Sequence, residues 1–136
     1  MVAQDRLIAG VLAFHGTTGI AWTLWTASKI GYPPLFIVIN LMLAIIGIVA
    51  SIGCFRGNNR AAPLGQLFWG AQLIHFASSS FNFSFTLGLN LDISFGWINF
   101  GQVGVNIFAL LMMIWLARRM NNPESSLWCR QDIRLA

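Results

Sequence analysis

The chain is 136 residues long, carries a formal net charge of +4, and is 57% hydrophobic but only 9% charged. Soluble domains carry charge at roughly a quarter of their positions, so an ordinary soluble fold is excluded and an integral membrane protein is expected. The basic residues flank apolar runs and form no contiguous patch, which argues against nucleic acid and makes the lipid bilayer the first partner.

In chain order, the apolar runs predict four spanning helices, at about 7–28, 35–55, 63–81 and 96–117, within a single membrane domain 1–136. Each approaches the ~20 residues that a helix needs to cross a bilayer, so the expected architecture is an all-α, four-helix membrane bundle. The first run continues past His15 with no clean cleavage site behind it, and reads as a span rather than a signal peptide. Pro33, Pro34 and Pro63 stand at helix starts, where a missing amide donor costs nothing. Arg6, Arg56, Arg60, Arg118, Arg119, Arg130 and Arg134 fall on one flank of the spans, against Lys29 alone on the other. Both termini are therefore expected in the cytoplasm, most simply at a bacterial inner membrane. Cys54 and Cys129 share that reducing side and are expected to stay thiols.

The stretch SFNFSFTLGLNLDISF, Ser80 to Phe95, alternates small or polar residues with Phe, Leu or Ile. Residues two apart lie about 200° apart on a helix but share a face in a strand, so the pattern predicts a short extended or hairpin segment on the outer side, between helices 3 and 4. Gly88 and Asn90 would supply a turn, and Phe81, Phe83 and Phe85 a half-buried face that binds a partner. Such backbone cannot face lipid unpaired, so it must fold on itself, pair with another chain, or lie in the wet interfacial layer. The competing pattern is a third helix continuing to about Thr86, because Gln72, His75, Ser79, Asn82 and Thr86 also share a helical stripe. In the tail, 118–136, Asn122, Pro123 and Glu124 are helix-start signals, and a short interfacial helix would turn Leu127, Trp128 and Ile133 toward lipid.

No Asp, Glu, Lys or Arg lies in the middle of a span, which argues against carboxylate-driven transport. Neutral polar residues are frequent instead. The first span has His15, Thr18 and Trp22 on one side, with a small-residue ridge of Ala9, Ala13, Thr17 and Ala21. Asn40, Ala44, Gly47 and Ser51 follow in the second, Gln72, His75 and Ser79 in the third, and Asn99, Gln102 and Asn106 in the fourth. Most suit helix packing. At 1.5 Å per residue, however, His15, Gln72, His75 and Asn106 would share a layer roughly 12–18 Å deep.

That layer admits three readings: a hydrogen-bonded network that fixes helix register, a b-type haem with His15 and His75 as axial ligands, or a conduction path lined by Asn40, Ser51, Ser79, Asn99 and Gln102. On the last, PPLFIVINLML with Asn40, followed by SSSFNFSF, is similar to the Asn and Phe-box arrangement of small four-helix fluoride channels. The resemblance covers a minor part of the chain and implies Asn40, Phe81 and Phe85 as pore residues; that family's glycine-rich third-helix break and first-helix arginine are missing. CxxC, HExxH, GxxxxGK and GxSxG motifs are also missing. The leading expectation is thus non-enzymatic: an accessory, scaffold or immunity-type subunit that binds another membrane or extracytoplasmic protein, or itself.

Overall fold

A computed structural model describes residues 2–30, 33–78, 82–83, 87–97 and 101–128. The chain is mostly helical, in the order α1 (Ala3–Ile30), α2 (Pro34–Phe55), α3 (Ala61–Ala71), β1 (Ile74–Ala77), β2 (Asn82–Phe83), β3 (Asp92–Trp97), β4 (Gly101–Asn106) and α4 (Ile107–Met120). Among the described residues, α1 and α2 alone are long and apolar enough to cross a membrane.

Local chemistry accounts for these elements. In α1, Asp5 sits in the first turn and Lys29 in the last, complementing the helix dipole. Thr17, Thr18, Thr23, Thr26 and Ser28 each donate a hydroxyl hydrogen bond to a carbonyl three or four residues earlier, so no hydroxyl on this helix is left without an acceptor. Pro34 opens α2, where its fixed φ suits the first turn. The helix closes in a Schellman motif. Gly57 takes φ +68°, its N–H donates to the Cys54 carbonyl at 3.0 Å, and the Asn58 N–H donates to Gly53 at 2.9 Å. Asn106 ends β4 and caps α4, its Oδ1 accepting from the Ala109 N–H at 3.1 Å.

The helical core joins Ile8, Ala9 and Leu12 of α1 to Leu43, Ala44, Ala50 and Cys54 of α2, Phe68 and Trp69 of α3, and Leu116 of α4. The buried stripe of α1 runs through Asp5, Ile8, Leu12, His15, Gly19, Thr23 and Thr26, the three-to-four spacing of one helix face. Gly16 lies so close to α2 that a Cβ would fall 2.7 Å from Ile48 and 3.0 Å from the Ala44 carbonyl. The expected ridge at spacing four is not the contact used: Ala9 is buried, but Thr17 and Ala21 are exposed.

Three expectations are corrected. The third helix stops at Ala71 rather than about 81, and the fourth begins at Ile107 rather than about 96. Strands β1 and β4 lie within the difference, which removes the alternative of a third helix running to Thr86. At 1.5 Å per residue the 11-residue α3 is about 16 Å long, half the ~30 Å of a hydrocarbon core. The tail over 121–128 is a series of turns, and Leu127 is fully buried instead of facing lipid. Ile133 and Cys129 lie outside the described residues, and Cys54 is a buried free thiol.

The extended segment is larger than the alternation implied. The sheet has four antiparallel strands in the order β2-β1-β4-β3. Paired residues share a face, so the register sorts the sheet cleanly. One face carries Ile74, Phe76, Ile93, Phe95, Trp97, Val103 and Val105; the other carries His75, Ala77, Asp92, Ser94, Gln102 and Asn106 with Gly96 and Gly104.

Candidate functional site: a clamped loop and an open sheet edge

At the base of the sheet, a non-helical stretch from Leu87 to Leu91 returns against α1. Three contacts fix it. The Leu87 N–H donates to Gln72 Oε1 at 3.1 Å, the Leu89 N–H to His15 Nε2 at 3.2 Å, and the Ile107 N–H to the Leu91 carbonyl at 2.8 Å. Leu87 is buried against Gly19. Gly88 adopts φ +88° with its Cα against the His15 ring; a Cβ would meet the imidazole and Thr18, so this turn needs glycine on both grounds.

His15 is held from all sides. Its Nδ1–H donates to the Val11 carbonyl at 3.0 Å while Nε2 accepts from Leu89, the neutral tautomer with both nitrogens engaged. The ring stacks on Phe108 at 5.1 Å and meets Trp69 edge-on at 4.9 Å. Gln72 divides its amide between the Phe68 carbonyl and Leu87. Thus His15, Gln72 and Asn106 do gather around the foot of the sheet, but each bonds to backbone rather than to the others. A groove of about 530 Å³ opens beside them, lined by Phe14, Thr18, Trp22, Gly88 and Leu89.

His75 belongs to a different cluster, on the polar face of the sheet. Its Nδ1 lies 3.5 Å from Asp92 Oδ1, with side-chain exposures of 15% and 26%. The two residues sit on strands flanking β4, and Gly104 stands between them: a Cβ there would run into the imidazole. The Asn90 amide donates to the other Asp92 oxygen. Sequence reading missed this pair, because β1 and β3 become neighbours of β4 only through the sheet.

The remaining sequence candidates scatter. Asn40 is buried, and its amide donates to Phe36 within its own helix at 3.0 Å. Ser51 donates to the Ala9 carbonyl at 2.7 Å and joins α2 to α1. Gln102 is exposed on β4. Phe83 lies in β2, its backbone paired with Phe76. Ser79, Phe81, Phe85 and Asn99 lie outside the described residues.

A second missed feature is a buried ion pair. Asp5, fully buried, accepts from Arg119 Nε at 2.8 Å, from the Ser125 hydroxyl at 3.0 Å, and from the Ser126 amide and hydroxyl at 2.9 Å each. The acid beside the first span and the arginine after the last were its only sequence trace.

Among the described residues no strand pairs with the outer side of β3, and hydrogen-bond phase sets which of its groups face that side. The Ile107-to-Leu91 bond continues the β3–β4 register, and the bond from the Asn106 N–H to Leu73, 2.9 Å, continues β1–β4. Alternation in an antiparallel ladder then directs Ile93, Phe95 and Trp97 toward β4, and the amides and carbonyls of Asp92, Ser94 and Gly96 outward. Every residue of β3 is exposed, Phe95 and Trp97 by 71% and 69%. Comparison with known protein families, curated proteins and solved structures finds no match.

Proposed function

We propose that the protein is a non-enzymatic membrane subunit that docks an extended segment of a partner protein along β3. The observation that carries this reading is the open edge itself: six exposed residues, three outward-facing peptide groups and an aromatic flank. Soluble proteins blunt such edges with charge, proline or bulges, whereas β-addition uses them. Support for a membrane setting comes from α1 and α2 and from the apolar residues they expose, among them Leu7, Trp22, Leu35, Met42 and Ile52. In that setting α1 and α2 anchor the chain, and the sheet presents its edge.

Two other readings draw less support. For a haem between His15 and His75, both His15 nitrogens are bonded to backbone and His75 lies in a separate cluster. For a conduction path, Asn40 and Ser51 direct their polar groups into backbone carbonyls.

The test uses proline, which removes one amide donor. Ser94→Pro deletes a donor that faces outward and leaves the β3–β4 ladder whole. A photocrosslinking residue at Ser94 should give a discrete adduct in intact cells, while one at the exposed Val49 of α2 gives none. Ser94→Pro, with the crosslinker moved to Gly96, should abolish the adduct without changing helical circular dichroism. Equal adducts at Ser94 and Val49, or an adduct indifferent to Ser94→Pro, would refute docking at this edge.

A further inference from the structure

We infer that the occupant of the β3 edge is the β3 edge of a second copy of this chain, paired antiparallel about Ser94 so that two four-stranded sheets become one continuous sheet. This rests on the reading of β3 as a docking edge, and names the partner.

Helix α3 starts six residues after α2 ends and is about 16 Å long, so if α2 crosses the bilayer, α3 carries the chain about halfway through the ~30 Å core. Strand β1 then begins, and β4 ends, near mid-depth. The apolar sheet face, with Ile74, Ile93, Phe95 and Val103 exposed, suits contact with lipid. The outward peptide groups of Asp92, Ser94 and Gly96 do not, because hydrocarbon offers them no partner. An edge at that depth is tolerated only when another strand covers it.

Self-pairing meets the demand with residues already present. A two-fold interface requires a patch complementary to itself. Centred on Ser94, the outward groups of each copy face the outward groups of the other: Ser94 opposite Ser94, Asp92 opposite Gly96. No carboxylate opposes a carboxylate, since the two Asp92 positions are offset by four residues, about 13 Å. Asp92 is also turned toward His75 and Asn90 of its own copy, and meets in Gly96 a residue with no side chain to displace. On the apolar face Ile93 falls opposite Phe95, a β-branched residue against an aromatic one, the pairing that cross-strand neighbours favour. The other outer strand, β2, spans two of the described residues, against six in β3.

The register makes the test specific. In a chain carrying Cys54→Ala and Cys129→Ala, Ser94→Cys should form a disulfide-linked dimer in native membranes under mild oxidation, because hydrogen-bonded antiparallel residues lie about 5.5 Å apart between Cα atoms, within disulfide reach. Asp92→Cys alone should remain monomeric, yet link to a differently tagged Gly96→Cys copy. Two differently tagged wild-type copies should co-purify, with recovery falling at least roughly tenfold with Ser94→Pro, the loss that about 1.4 kcal/mol gives. A monomeric Ser94→Cys chain, or Asp92→Cys linking as readily as Ser94→Cys, overturns self-pairing. If the Ser94 photocrosslinker then gives an adduct whose mass is not that of a dimer, the docking edge stands and only its occupant changes; if it gives none, both readings fall.

Discussion

The most demanding test of the helical part is Asp5→Ala. The substitution removes the acceptor of four hydrogen bonds and leaves Arg119, itself only 7% exposed, as a buried cation with no counter-ion among the described residues. Breaking a buried pair in this way costs about 3–5 kcal/mol, mostly the penalty of the stranded charge. The geometry favours the low end of that range. Arg119 reaches the carboxylate through Nε alone rather than as a two-pronged fork, and its Nη2 has no hydrogen-bond partner among the described residues. Asp5→Asn keeps an acceptor for Arg119 and the serines but strands the same charge, so it should lose nearly as much, about 3 kcal/mol. Asp5→Leu combined with Arg119→Leu should recover most of the loss, because neither charge then remains buried. The assay is unfolding by SDS titration in mixed micelles, read by tryptophan fluorescence. A loss below about 1 kcal/mol for Asp5→Ala, or a double mutant whose loss equals the sum of its singles, would refute the pair as the tie between the start of α1 and the end of α4.

Two further outcomes follow from the sheet and its foot. Gly104→Ala should destabilise the protein by about 1–3 kcal/mol through overlap with the His75 ring, and His75→Ala should suppress the loss; a Gly104→Ala effect that persists in the His75→Ala chain would show that the imidazole does not cross β4 there. His15→Ala should raise the hydrogen-exchange rate of the Leu89 amide at least roughly tenfold, the effect of losing about 1.4 kcal/mol of protection, and unchanged exchange would mean that the loop is held by Leu87 and Leu91 without the histidine.

Sequence reasoning was strongest where the governing physics is local. Length and hydropathy located α1 and α2 because an apolar run of about 20 residues has few other uses. Alternation from Ser80 onward signalled extended backbone, since period two is incompatible with one helix face. It failed at the margins of that segment for a reason visible in particular residues. The run from Gln72 to Ala77, and the run from Gly101 to Asn106, are apolar enough to continue a span, and nothing within either run states that the two will pair with each other. Averaged hydropathy therefore extended α3 and α4 through what are strands.

The sequence by itself determined a chain rich in apolar surface, poor in charge, with an extended region in its second half. Only the tertiary structure decided what the polar residues are for. His15 and Gln72 hold an irregular loop, Asn106 caps a helix, Asp5 meets Arg119, and His75 reaches Asp92 across a glycine. Each of these is a contact between positions far apart in the chain or a choice among several available acceptors. Periodicity reports which face of an element a residue occupies, but the partner across from it is set by register and closure, which no single stretch of sequence contains.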